Sequence, residues 1–239
     1  IVAFTTNGLA PTRTIKYAEY IKSKGFDPLI TISLDGDEST HDKIRGVKGN
    51  YKKCLETYEM LKKENILCHY GITLSDKNYE FVRDNYHNYK DKMKAVTFVH
   101  SQGIYNKENS YNNDEKIINS LKIIDKNFQI KKLYEIIEKI NIKISIKFLE
   151  NKRQKNIIPC DVLNSSIHIM QDGSVKPCMF MKEIGNIKNN NMVSFLHNET
   201  TIKLKEEIRK DKCPKCWMNC YSPHSIVQAP VKSLIRAFF

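Results

Sequence analysis

The sequence predicts an α/β fold of parallel strands alternating with helices, followed by a smaller C-terminal module. Two observations carry this. Apolar segments that begin near residues 2, 29, 66 and 95 recur at the spacing of βα units, so the strands should run parallel. Right-handed crossovers of that kind build an open sheet or a barrel. The alternation then stops, and five of the seven cysteines fall within residues 160–220.

Val2–Thr6 reads as a short strand closed by Asn7-Gly8, and Thr14–Lys24 as a helix ended by Gly25. Leu29–Asp35 is the second strand, running into a polar loop from Ser39 to Gly46. Tyr51–Glu64 has helical spacing, Ile66–Leu74 is a strand, Tyr79–Tyr89 a helix and Ala95–His100 a fourth strand. Ser101–Asn127 is rich in Asn, Ser, Tyr and Lys and is a candidate substrate loop, with a short helix over Ile117–Ile124. Ile130–Ile140 reads as a helix. Ile142–Leu149 alternates Ile with Lys and reads as a strand, and the domain boundary is placed at residue 150.

Beyond the boundary, Ser166–Met170 and Val175–Cys178 flank Asp172-Gly173, a hairpin dipeptide. Thr201–Arg209 is helical, and Val231–Phe239 has the pattern of a basic amphipathic helix, read as a docking or frayed terminus. The 239 residues include no apolar run long enough to span a bilayer. The chain opens inside a strand, without an initiator Met or a signal peptide, and is read as a fragment. Its net charge of +12 would attract nucleic acid if gathered into a stripe, but it is spread as Lys along helix faces.

Two constellations carry chemistry. In Ser33-Leu34-Asp35-Gly36 a hydroxyl and a carboxylate share one face at the end of a buried strand, where ligands of α/β sheets sit. The bland alternative is a strand-to-loop turn capped by Asp35. The second constellation is thiol. Cys54 and Cys68 lie in apolar-periodic segments and read as core. Cys213-x-x-Cys216 turns two sulfurs toward one metal, Cys160 and Cys178 flank the hairpin, and Cys220 is a fifth candidate. Four thiolates suit zinc or one four-iron four-sulfur cluster, and spacing leaves that choice open. Clustered thiols in a large chain point to a reducing cytoplasm.

The segment "SLDG…HDKIRG" resembles the fourth barrel strand of radical S-adenosylmethionine enzymes, and "TTNG" (Thr5 to Gly8) the third. The Cys160 region, the Asp-Gly hairpin ending in Pro-Cys178, "IGNI" (Ile184 to Ile187) and Cys213-x-x-Cys216 resemble the SPASM/Twitch module of the same enzymes. The resemblance implies a partial (β/α) barrel over residues 1–150 and an auxiliary-cluster domain over 151–239. It assigns S-adenosylmethionine contacts to Ser33, with Thr6, Asp35 and Arg45 in support. It assigns one auxiliary 4Fe-4S cluster to Cys160, Cys178, Cys213 and Cys216, with Cys220 as the replacement. The Cys-x-x-x-Cys-x-x-Cys of the catalytic cluster is absent, so S-adenosylmethionine and that second 4Fe-4S cluster would need upstream sequence. The implied parent cleaves S-adenosylmethionine to a 5′-deoxyadenosyl radical and modifies a peptide, protein or small molecule, fed by an electron donor such as a flavodoxin or ferredoxin. The fragment by itself is expected to be inactive. The rival readings are a zinc module that binds nucleic acid and a structural α/β domain without activity.

Overall fold

The computed structural model describes residues 1–100, 114–189, 191 and 196–238. The chain forms two compact units, one of Ile1–Val99 with Asn113–Lys131 and one of His100–Asn112 with Lys132–Phe239.

The first unit is a four-stranded parallel sheet in the order β1-β2-β3-β4: β1 (Val2–Thr6), β2 (Pro28–Ser33), β3 (Leu67–Leu74) and β4 (Met93–Phe98). Helices α1 (Pro11–Ser23), α2 (Glu38–Arg45), α3 (Asn50–Lys63) and α4 (Tyr79–Asn85) fill the crossovers, and α5 (Asp114–Asn127) follows β4. One face of the sheet is core: Ile30, Ile32, Cys68, Tyr70 and Ile72 are buried, where α1 and α3 pack. Each aliphatic side chain taken from water there contributes about 1.5–3 kcal/mol. The other face is polar or small. Thr31 and Ser33 on β2, Gly71 and Thr73 on β3 and Thr97 on β4 are only half-buried. The period-2 alternation thus separates a helix-covered side from a side suited to ligands.

Ser39–Gly46, expected as a loop, is mostly α2. Asp37 caps it by accepting from the Thr40 N–H at 2.9 Å, and Gly46 ends it at φ 67. Only His41 of its eight residues is buried, so no apolar stripe announces the helix. The turn needs Gly36, because a Cβ there would lie 2.6 Å from Thr40 Cβ.

The second unit holds α6 (Tyr134–Glu150), a three-stranded antiparallel sheet of β5 (His168–Ile169), β6 (Ser174–Lys176) and β7 (Gly185–Asn186), and helices α7 (Glu199–Arg209), α8 (Ser222–Gln228) and α9 (Pro230–Phe238). The hairpin turns at Gly173, φ 88, where the sequence placed it. Ile142–Leu149, read as a strand, is the C-terminal half of α6. Ile140, Ile144 and Phe148 recur at four-residue spacing and are all buried, and α8 and α9 pack on the helix. That packing draws α6 into the second unit, so the division falls near residue 131 rather than at 150. Of the expected substrate loop, 101–113 lies outside the described residues and the rest is α5.

Candidate cluster and cofactor sites

Four cysteines of the second unit line one cavity: Cys160, Cys178, Cys213 and Cys216. They arrive from three places. Cys160 precedes the hairpin, and its neighbour Asp161 is fixed to Arg209 of α7 at 2.8 Å and to Ser225 of α8, whose hydroxyl accepts the Asp161 N–H at 3.0 Å. Cys178 follows β6, and the next N–H, that of Met179, donates to the Tyr221 hydroxyl at 3.0 Å. Cys213 and Cys216 lie just beyond α7, in a turn reversed at Lys215 with φ 53.

The segment after Cys216 is tied to α6 across 76 to 81 positions. Asn141 is the anchor: its amide donates to Asn219 Oδ1 at 2.6 Å, its side-chain oxygen accepts from Ser222 at 2.7 Å, and its carbonyl accepts from the Trp217 indole at 3.4 Å. Beneath the sulfurs Val162, Leu163, Ile208 and Tyr221 form an apolar floor around Cys178. Cys220 is exposed and is not part of the cavity wall.

Burial pushes the Cys160 thiol up to about 11, and the sulfurs of Cys213 and Cys178 add to the rise. Burial raises Cys216 further still, followed by repulsion from Cys178, Cys160 and Cys213. Burial and neighbouring sulfurs oppose ionisation at Cys160, Cys178 and Cys216, so a cationic partner is what lets these exist as thiolates. Among the described residues no three Cys, His, Asp or Glu gather tightly enough to hold one metal ion. A single tetrahedral zinc draws every sulfur to about 2.3 Å. Four cysteine thiols lining one cavity are a donor set that an iron–sulfur cluster accepts, so the residues present suit such a cluster.

In the first unit the candidate cofactor residues divide. Ser33 shares the uncovered face with Gly71, its register partner on β3. Asp35 is 3% exposed and fully committed: Oδ2 meets Arg45 Nε at 2.7 Å, and Oδ1 accepts the Thr73 N–H at 3.1 Å. Its backbone N–H donates to His41 Nδ1 at 3.0 Å, and its carbonyl accepts from Asn78 at 3.0 Å. Asp35 therefore holds the ends of β2 and β3 and orients Arg45. Thr6 pairs in register with Ile32, on the helix-covered side, and its hydroxyl accepts the Gly8 N–H at 3.2 Å. Thr5 and Thr31 occupy the Ser33 side instead. Sequence reasoning missed Asn141 and Tyr221, because nothing local in the sequence marked either.

Burial lowers the His41 pKa and holds the ring neutral. Nδ1 accepts from Asp35, so Nε2 carries the proton and faces Cys54 Sγ at 3.6 Å. Burial also pushes the Cys54 and Cys68 thiols up to about 11, which keeps them as inert core groups.

Residues 160–221 match the SPASM family of iron–sulfur cluster-binding domains. A 55-residue stretch is 36% identical to the sporulation killing factor maturation protein SkfB of Bacillus subtilis (strain 168), covering 23% of this chain and 13% of that protein. Among solved structures, native anSMEcpe with bound AdoMet aligns over 99% of this chain and 72% of its own, at TM-score 0.59 and 16% identity. The same protein with AdoMet and the Cp18Cys peptide aligns over 99% and 73%, at TM-score 0.58 and 17% identity. Residues 160–221, which hold the four cysteines of the cavity, are thus similar to the SPASM iron–sulfur cluster-binding domain, and the chain shares the fold of the AdoMet-bound anSMEcpe structures.

Proposed function

We propose that the four-cysteine cavity holds one auxiliary 4Fe-4S cluster of a radical S-adenosylmethionine enzyme that modifies a peptide. The observation that carries this is the convergence of Cys160, Cys178, Cys213 and Cys216 on a single void. The peptide branch draws on the relatives: SkfB is a maturation protein, and a structure of anSMEcpe carries a bound peptide. When bound, S-adenosylmethionine supplies the hydrogen-abstracting radical, and the auxiliary cluster an electron acceptor or substrate anchor.

The chain's own residues do the positioning. Ser33 presents a hydroxyl on the uncovered sheet face for a ribose. Arg45, its Nε pinned by Asp35, offers its remaining guanidinium N–H groups to a carboxylate. The Tyr221 hydroxyl and the Asn141 amide lock two of the thiol-bearing segments in place.

Anaerobic reconstitution with iron and sulfide tests the assignment. About four iron and four sulfide per chain are expected, with broad visible absorption. Cys178→Ala and Cys213→Ala should strip iron, whereas Cys54→Ala and Cys220→Ala should retain it. A colourless protein that takes up one zinc, or equal iron loss in all four variants, overturns the reading.

A further inference from the structure

We propose that Asn156 tunes the auxiliary cluster, its side-chain amide donating an N–H···S hydrogen bond to the Cys213 thiolate and raising the reduction potential of the iron it holds. This rests on the cluster reading above and adds a residue that no cysteine motif contains.

Asn156 is 5% exposed and lines the cysteine cavity. Its Nδ2 lies 3.9 Å from Cys213 Sγ and 2.9 Å from Asp211 Oδ1. Both neighbours are acceptors, so the nitrogen and not the oxygen must face them. The carboxylate two residues before Cys213 thus fixes the amide in the orientation that aims N–H at the sulfur. The other end of the side chain has no compensation: among the described residues Asn156 Oδ1 is buried without a hydrogen-bond partner. A leucine would fill the same space with no orphaned oxygen, so the reason for an amide here lies in what its N–H groups meet, Asp211 and Cys213.

The electronic consequence follows from charge. Reduction adds one electron to the cluster and spreads negative charge onto its sulfurs. A donor fixed on a ligand sulfur stabilises the reduced state more than the oxidised one.

The test compares reconstituted wild-type chain with Asn156→Leu and Asn156→Ser, measuring iron content, reduction potential by dye-mediated titration, and deuteron couplings to the reduced cluster by electron–nuclear double resonance in D₂O. The expected result is retained iron, a more negative potential in both variants, and loss of one exchangeable deuteron coupling. Retained iron with unchanged potential and couplings overturns the proposal. Loss of iron from both variants with the wild-type circular dichroism spectrum also overturns it, because the amide is then only a support. A wild-type chain that binds no iron overturns the cluster reading, and this inference with it.

Discussion

At the scale of single residues, Asp35 shows how a side chain selected by motif acquires a different job in three dimensions. Its carboxylate is sealed, with one oxygen on Arg45 and the other on the Thr73 N–H. Asp35→Ala would leave a guanidinium and a backbone donor without their acceptor. We expect a loss of about 3 kcal/mol in chemical denaturation. Asp35→Asn keeps an oxygen for Thr73 and should lose less, because only the charge pair is broken. Ser33→Ala, on the uncovered face, should leave stability within about 0.5 kcal/mol of wild type. Equal losses for Asp35→Ala and Ser33→Ala would show that the clamp carries no weight. The motif placed Ser33 first and Asp35 in support, but a sequence gives spacing along a strand and not the partners that close on each side chain.

At the scale of elements, the βα alternation was legible because strand and helix each left a hydrophobic period. The misses occurred where that period was ambiguous or absent. In α6 the run from Ile140 to Leu149 fits both a two-residue and a four-residue period, and only packing against α8 and α9 decides between them. In α2 the helix stands on a cap, a left-handed Gly46 and a single buried His41 rather than on an apolar face. The cysteine motifs were legible as spacing, but the Asn141 anchor was not, because its partners lie 76 to 81 positions away. Asn141→Leu removes the acceptor of Ser222 and the donor of Asn219. We expect a loss of about 1–3 kcal/mol in the second unit, with faster release of iron to a chelator. Unchanged release would mean that the Cys216–Cys220 segment is held by other contacts.

At the scale of the whole chain, the charge balance of +12 and the buried histidine make opposite kinds of statement. The surplus Lys is dispersed and solvated, whereas His41 is sealed in the first unit. Its folded pKa lies below the ordinary value of about 6.5, so the unfolded chain takes up this proton first as pH falls. The contribution to stability is therefore complete above that value and is lost as pH drops through it toward the folded pKa. Denaturation midpoints measured from pH 7.5 to 5 should decline for wild type, and His41→Gln should flatten that slope. A wild-type midpoint that rises on acidification would contradict the neutral assignment of the ring. Among the described residues no helix is long and apolar enough to cross a membrane.

The Asn141 tether also says where scissors belong. A piece begun at residue 151 would keep every cysteine of the cavity yet discard the bar to which their last segment is bolted. One begun at Lys132 would keep that bar. Whoever excises the cysteine-bearing half should cut ahead of α6.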